Sequence, residues 1–167
     1  MAASEPEGLL KTSIWIAGLM LAGLATPALA APARTCAPDT PQEVRAVETV
    51  VRGFYAEMAA GRDAAAARLT TSGFYAYEGK RLTAPELFQT LADARARGVV
   101  LEWNLGPMDV HLSCDMAWAA WENHGAAGAV GEMKPVTWLE SVALSRQNGV
   151  WRIDFLHAHR APAAAKP

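Results

Sequence analysis

The chain has 167 residues, of which 51% are hydrophobic and 19% charged, and its 15 basic and 17 acidic residues give a formal net charge of −2. That is one domain's worth of chain with enough apolar material for a core, which excludes a disordered or fibrous protein. No run of like charges is present, so nothing marks a surface for nucleic acid or for an anionic membrane.

Residues 13–25 form an uncharged apolar run, preceded by Lys11 and followed by Ala28-Leu29-Ala30 and Ala31. This is the order of a secretory signal: basic flank, hydrophobic stretch, small-residue cleavage site. The run is shorter than the ~20 residues that a membrane-spanning helix needs. Residues 1–30 are therefore expected to be a signal peptide cut near Ala30–Ala31. The product would be periplasmic or secreted, with no membrane attachment after cleavage. An uncleaved N-terminal anchor is the alternative, and Glu5 and Glu7 make the leading segment less positive than is usual. Residues 31–40 read as a linker. Cys36 and Cys114 both survive cleavage, and an exported protein with two cysteines can form one disulfide. Their spacing fits no metal motif, and a buried thiol at Cys114 is the other reading.

Thr40-Pro41-Gln42-Glu43 is a capping box with proline at the first helical position. Behind it Val44, Val47, Val51, Phe54 and Met58 recur at steps of three and four, the pattern of an amphipathic helix, which Gly61 ends. Asp63 caps a short alanine-rich helix to Leu69. Phe74 to Tyr77, a turn at Glu78-Gly79 and Arg81-Leu82 form a small hairpin. A second capping box, Thr83-Ala84-Pro85-Glu86, starts a helix with Leu87 and Leu91 inward, and Gly98 stops it. From Val99 the period becomes two. Val99, Leu101, Trp103 and Leu105 alternate, then Met108, Val110 and Leu112, so one long strand is expected to bend at Gly106-Pro107. Cys114, Met116, Trp118 and Ala120 are expected inward on the returning strand, with Glu122 and His124 in the same phase. Gly125 to Gly131 reads as a loop. Val136, Trp138, Val142 and Leu144 then alternate, Asn148-Gly149 is a strong hairpin signal, and Trp151, Ile153 and Phe155 complete the last strand. Residues 161–167 read as a disordered tail. The order implies an α+β domain over residues 41–160, with helices packed on one face of a curved antiparallel sheet.

The helix join Ala59-Ala60-Gly61-Arg62-Asp63 resembles that of the nuclear-transport-factor-2-like (NTF2-like) superfamily, in particular its SnoaL-like and DUF4440-type bacterial members. So does Phe74-Tyr75-Ala76-Tyr77-Glu78-Gly79 ahead of a Pro-Glu-Leu helix. The closing run from Trp151 to His159 is similar to the family's strand ending in histidine. The resemblance implies a cone: a bent sheet wrapped by helices, with a pocket at one end. Relatives use that pocket for isomerisation, dehydration, cyclisation or ligand binding without a cofactor, and some use the fold only for assembly, so fold alone chooses no function.

The Asn148-Gly149 turn sets a register in which Gln147 faces Val150, Leu144 faces Ile153, and Val142 faces Phe155. Continued outward, that register makes Glu140 face His157 and Trp138 face His159, all on the core face. A cross-strand Glu140–His157 pair satisfies an inward carboxylate and has the make-up of a general base, and it is equally able to serve as a structural pair. Tyr55, Trp103, Trp118, Trp138 and His159 are the expected ligand-binding wall. His157 and His159, two residues apart, offer poor zinc geometry, so no metal is expected. Trp121, expected outward among alanines, suggests a sheet-to-sheet homodimer.

These readings support three functions. The first is an exported domain that binds a small apolar or carbonyl-containing molecule without a cofactor. The second is a cofactor-independent isomerase, dehydratase or cyclase using Glu140 and His157. The third is a structural dimerisation module whose cone is filled.

Overall fold

A computed structural model describes residues 40–162, and the expected signal peptide, Cys36 and most of the expected tail lie outside them. The helices form where the caps and the 3.6-residue period place them. α1 (Pro41–Ala59) starts at Thr40, whose side chain accepts from the Glu43 N–H, and it buries Val47, Val51, Phe54, Tyr55 and Met58. The short α2 (Asp63–Ala67) follows directly. α3 (Ala84–Ala96) opens with Glu86 accepting from the Thr83 N–H at 2.7 Å, and it buries Leu87, Phe88 and Leu91.

The strands are β1 (Thr70–Tyr77), β2 (Arg81–Thr83), β3 (Val99–Glu102), β4 (Asp109–Ser113), β5 (Met116–Ala129), β6 (Lys134–Gln147) and β7 (Val150–Arg160). They form one seven-stranded sheet in the order β2-β1-β7-β6-β5-β3, with β4 also on β5. β3 takes the far end of β5 and β4 the near end, so the expected bend separates two strands that share one neighbour. The sheet is mixed, because β1 runs parallel to β7 while the other pairs are antiparallel. One core unites α1 and α3 with the inward residues of β1 and β4 to β7.

Three local expectations are corrected. The stretch expected to be a loop from Gly125 is strand as far as Ala129, paired with β3 on one side and β6 on the other. Gly125 is needed there because an added Cβ would stand 1.9 Å from the Glu102 carbonyl oxygen and 2.9 Å from the Trp138 ring. The second correction is the phase of β5, which is opposite to the expected one. Ala117, Ala119, Trp121 and Asn123 are buried, and Met116 and Trp118 are exposed. Directly paired residues share a face, and Trp121 pairs with Glu140, Ala119 with Val142, and Ala117 with Leu144. Once β6 turns Glu140, Val142 and Leu144 inward, β5 has no choice. The outward Trp121 on which a homodimer surface was expected is thus a core residue, 5% exposed.

The third correction lies in the last hairpin. Asn148 and Gly149 both have positive φ, the turn expected of that dipeptide, and Leu144 does face Ile153. Between Ile153 and Phe155 the register then shifts, so that Ala143 faces Phe155 and Asp154 is the extra residue. Phe155 therefore leaves the core face and meets Tyr75 and Tyr77 on the other side, at ring-centroid distances of 5.1 and 6.1 Å.

Cys114 is not a free thiol and has positive φ in the β4–β5 turn. A buried reduced cysteine is thereby excluded, although the partner expected for it, Cys36, lies outside the described residues.

Glu43 ties the two ends of the domain together. It is bonded by Arg146 Nη2 of β6 and, at 3.1 Å, by Trp151 Nε1 of β7, while the Arg146 guanidinium lies over the Trp151 ring. Because Gly125 sits where β3 and Trp138 close on β5, Gly125→Ala is expected to destabilise the domain by about 1–3 kcal/mol, the usual cost of overpacking. Urea unfolding at neutral pH measures this, and an unchanged midpoint would contradict the close approach.

Candidate ligand-binding site

Glu140 lies mid-strand in β6, opposite Trp121 of β5 and Ala158 of β7. Its residue is 5% exposed. The carboxylate is held by neutral donors: Trp121 Nε1 donates to Oε2 at 2.7 Å, and Asn123 Nδ2 donates to the same oxygen at 3.0 Å. Asn123 is itself fixed, because its Oδ1 accepts from the Asn104 N–H at 2.8 Å. Asn104 belongs to the segment after β3, which Arg52 of α1 anchors by donating to the Leu105 and Gly106 carbonyls, each at 3.0 Å. A helix residue on the surface thus holds the strap that orients the amide under the carboxylate.

Tyr55 comes down from α1 onto the same point. Its ring stands edge-on to Trp103 and to Trp121, at centroid distances of 5.7 and 5.8 Å. Its buried hydroxyl has no aligned hydrogen-bond partner, although it stands close enough to Glu140 for the two groups to act on each other. Burial first, and then the Glu140 charge, push the Tyr55 phenol well above its ordinary value, so it stays protonated. Burial likewise raises the Glu140 carboxyl, against the lowering influence of Asn123, Tyr55 and Trp121, and the charge of Glu78 raises it further. Among the described residues no lysine, arginine or histidine forms an ion pair with Glu140.

A cavity of about 60 Å³ lies against this carboxylate, walled by Tyr55, Trp103 and Trp138 among others. Glu78 and Arg160 also line it, and the Arg160 charge acts on Glu78, lowering a carboxyl that its partial burial raises. A larger groove of about 370 Å³ adjoins it between the end of α1, α3 and β3. The two hollows share Met58, Leu91, Leu101 and Trp103 as walls. Trp103 sits between β3 and β4, just before Leu105, which bridges Asn123 of β5.

Of the residues expected from sequence, Glu140, Tyr55, Trp103 and Trp138 come together here. The others do not. His157 faces Ser141 and His159 faces Leu139, so both imidazoles point to the outer face of the sheet, with ring centroids 5.2 Å apart. The extra residue Asp154 is the physical cause, since a one-residue shift moves every following side chain to the other face. The Glu140–His157 pair therefore does not exist. Trp118 is 46% exposed on that outer face, stacked on His111 at 4.2 Å. Sequence reading missed Trp121, Asn123, Glu78 and Arg160 as neighbours of the carboxylate. The first two follow from the β5–β6 register, but the chain between those strands carries no tight-turn dipeptide that would set it.

No family model matches the chain, and no curated protein resembles it in sequence. Solved structures do resemble it in fold. A candidate dehydratase of the NTF2-like family from Streptomyces avermitilis matches with a TM-score of 0.64 at 19% identity, over 74% of this chain and all of that one. A ketosteroid isomerase-like protein from Erwinia carotovora matches at 0.61 and 14% identity, over 74% of this chain and all of that one. An NTF2-like protein of unknown function from Pseudomonas putida matches at 0.63 and 14% identity, over 77% of this chain and 99% of that one. The chain thus has the NTF2-like fold, a curved sheet with helices over one face.

Because burial raises the Glu140 carboxyl, the folded state binds more protons there than the unfolded chain does. The stability this contributes is full below the ordinary glutamate value and is lost as pH rises through the raised one. Glu140→Gln keeps an acceptor for Trp121 and removes that loss. Its stability relative to the parent is therefore expected to improve steadily from acidic to neutral pH. Glu140→Ala, which strands both buried donors, is expected to cost about 2–4 kcal/mol. Urea titrations of both variants across pH measure the two effects, and a pH-independent difference for Glu140→Gln would contradict the burial of a titrating acid.

Proposed function

We propose that this is an exported domain that binds a small, mainly apolar molecule without a cofactor, its polar end at Glu140 and its body in the adjoining groove. The observation that carries this reading is a buried carboxylate, unmatched by any cation among the described residues, at the end of an apolar hollow. Size supports the two-part site. The 60 Å³ beside Glu140 takes only a small head group, whereas the 370 Å³ groove reaches the ~300–1,000 Å³ of ligand pockets. The shared wall residue Trp103 is half-buried, and a shift of its side chain would join the hollows.

Filling the groove tests this reading. In Leu91→Trp a larger ring enters the shared wall, and binding of the neutral apolar fluorophore N-phenyl-1-naphthylamine is expected to weaken at least about tenfold with the fold intact by circular dichroism. Equal binding by parent and variant would place the ligand elsewhere.

A second reading has one observation in its favour: burial makes Glu140 a stronger base than an ordinary carboxylate, and Asn123 and Trp121 hold it in place. That suits removal of a proton next to a carbonyl, the chemistry of an isomerase or dehydratase. In this reading Glu140 acts alone, without His157. For any substrate found, Glu140→Gln is expected to lower kcat by 10²-fold or more while changing KM little, and His157→Ala is expected to leave kcat unchanged. Turnover that survives Glu140→Gln would remove the catalytic role.

A further inference from the structure

Resting on that reading of the pocket, we infer that the molecule it takes is a small organic cation, a protonated amine on an apolar body. Three features of the site converge on this class. The first is charge. Glu140 and Glu78 both line the small cavity, and Arg160 is the only basic residue among its described walls. The Arg160 charge acts on Glu78, and among the described residues no cation forms an ion pair with Glu140. The groove adds no free cation, because its Arg95 bonds Asp63 at 2.5 Å. A carboxylate or phosphate ligand would therefore meet two carboxylates against one guanidinium, a net like charge, while an ammonium would supply the countercharge that burial of Glu140 calls for.

The second feature is the pattern of donors and acceptors. Trp121 and Asn123 both bond Oε2, so neither reaches Oε1. The Tyr55 hydroxyl is buried with no aligned partner. An ammonium carries several donors and no acceptor, so it can serve the carboxylate and the phenol oxygen together. A ketone or ester carbonyl has only acceptors to offer, and only the Tyr55 hydroxyl could meet it. The third feature is the wall: Tyr55, Trp103 and Trp138 line the same cavity, and aromatic rings attract a cation. The hollow at Glu140, about 60 Å³, suits a small ammonium head. The apolar body then follows the leucine- and valine-lined groove past Leu91 and Leu101.

The test compares three probes of equal chain length, hexylammonium, 1-hexanol and hexanoate, by isothermal titration calorimetry on the mature protein at neutral pH. Hexylammonium is expected to bind at least about tenfold more tightly than hexanol, and hexanoate to bind weakest, since charge-assisted hydrogen bonds are roughly twice as strong as neutral ones. In Glu140→Gln the advantage of the amine over the alcohol is expected to shrink to within about threefold. Equal binding of amine and alcohol by the parent protein would overturn the cation inference and leave the pocket standing. Binding of none of the three would overturn the pocket reading and the inference with it. An amine preference that persists undiminished in Glu140→Gln would move the cation to another place, and the inference would fall on that result too.

Discussion

Glu140 is held inside the sheet from both sides, because residues that pair directly across antiparallel strands share a face, and its neighbours Trp121 and Ala158 are both buried. That constraint propagates outward. It turns Asn123 inward beside Trp121, and Asn123 in turn bonds the segment after β3 that carries Trp103 and Asn104. It also places Ala117 and Ala119 in the same buried core as Phe54 and Tyr55 of α1. The pocket is a by-product of this stacking: large rings around one carboxylate, with small residues where backbone elements come close.

The electrostatics follow from the same geometry. A carboxylate surrounded by indole, amide and phenol is solvated by dipoles in place of water, and dipoles compensate only part of the cost of burying a charge. Its proton affinity rises, and so does that of the phenol beside it. Burial thus leaves Glu140 without an ion pair among the described residues. The outer face of the sheet carries a different chemistry, with His157 and His159 among Tyr77 and Phe155, and with His111 stacked on Trp118. Those imidazoles are separated from Glu140 by the sheet itself.

Stability and site formation are coupled through a few long-range ties. Glu43 gathers Arg146 and Trp151 from the last hairpin onto the start of α1, and Arg52 grips the strap after β3 from the middle of that helix. α1 is thus fastened along its length to the strands that form the floor. Gly125 lets β3 approach where Trp138 also packs, so the backbone tolerance of one residue shapes a wall of the cavity.

Much of this architecture was legible in the chain. The cap at Thr40 and the capping box at Thr83 start helices because side chains there satisfy local backbone groups, although the Glu43 carboxylate expected to close the first box is taken by Arg146 and Trp151. The Asn148-Gly149 turn forms because its two residues tolerate positive φ. The inward phase of Trp138, Glu140, Val142 and Leu144, and the presence of Tyr55, Trp103, Trp138 and Glu140 at the site, could likewise be read from periodicity. Two things could not. The extra residue at Asp154 leaves no mark in the hydrophobic pattern, since Phe155 and Leu156 are both apolar and either could point inward; the parallel partner β1 and the position of α1 decide which does. The phase of β5 was equally open, because Trp118 and Trp121 lie an odd number of residues apart, and only pairing with β6 selects one. Local chemistry determined where elements begin, end and turn; which face each long strand presents was settled by its neighbours, because in a sheet a side chain's direction belongs to the register and not to the residue.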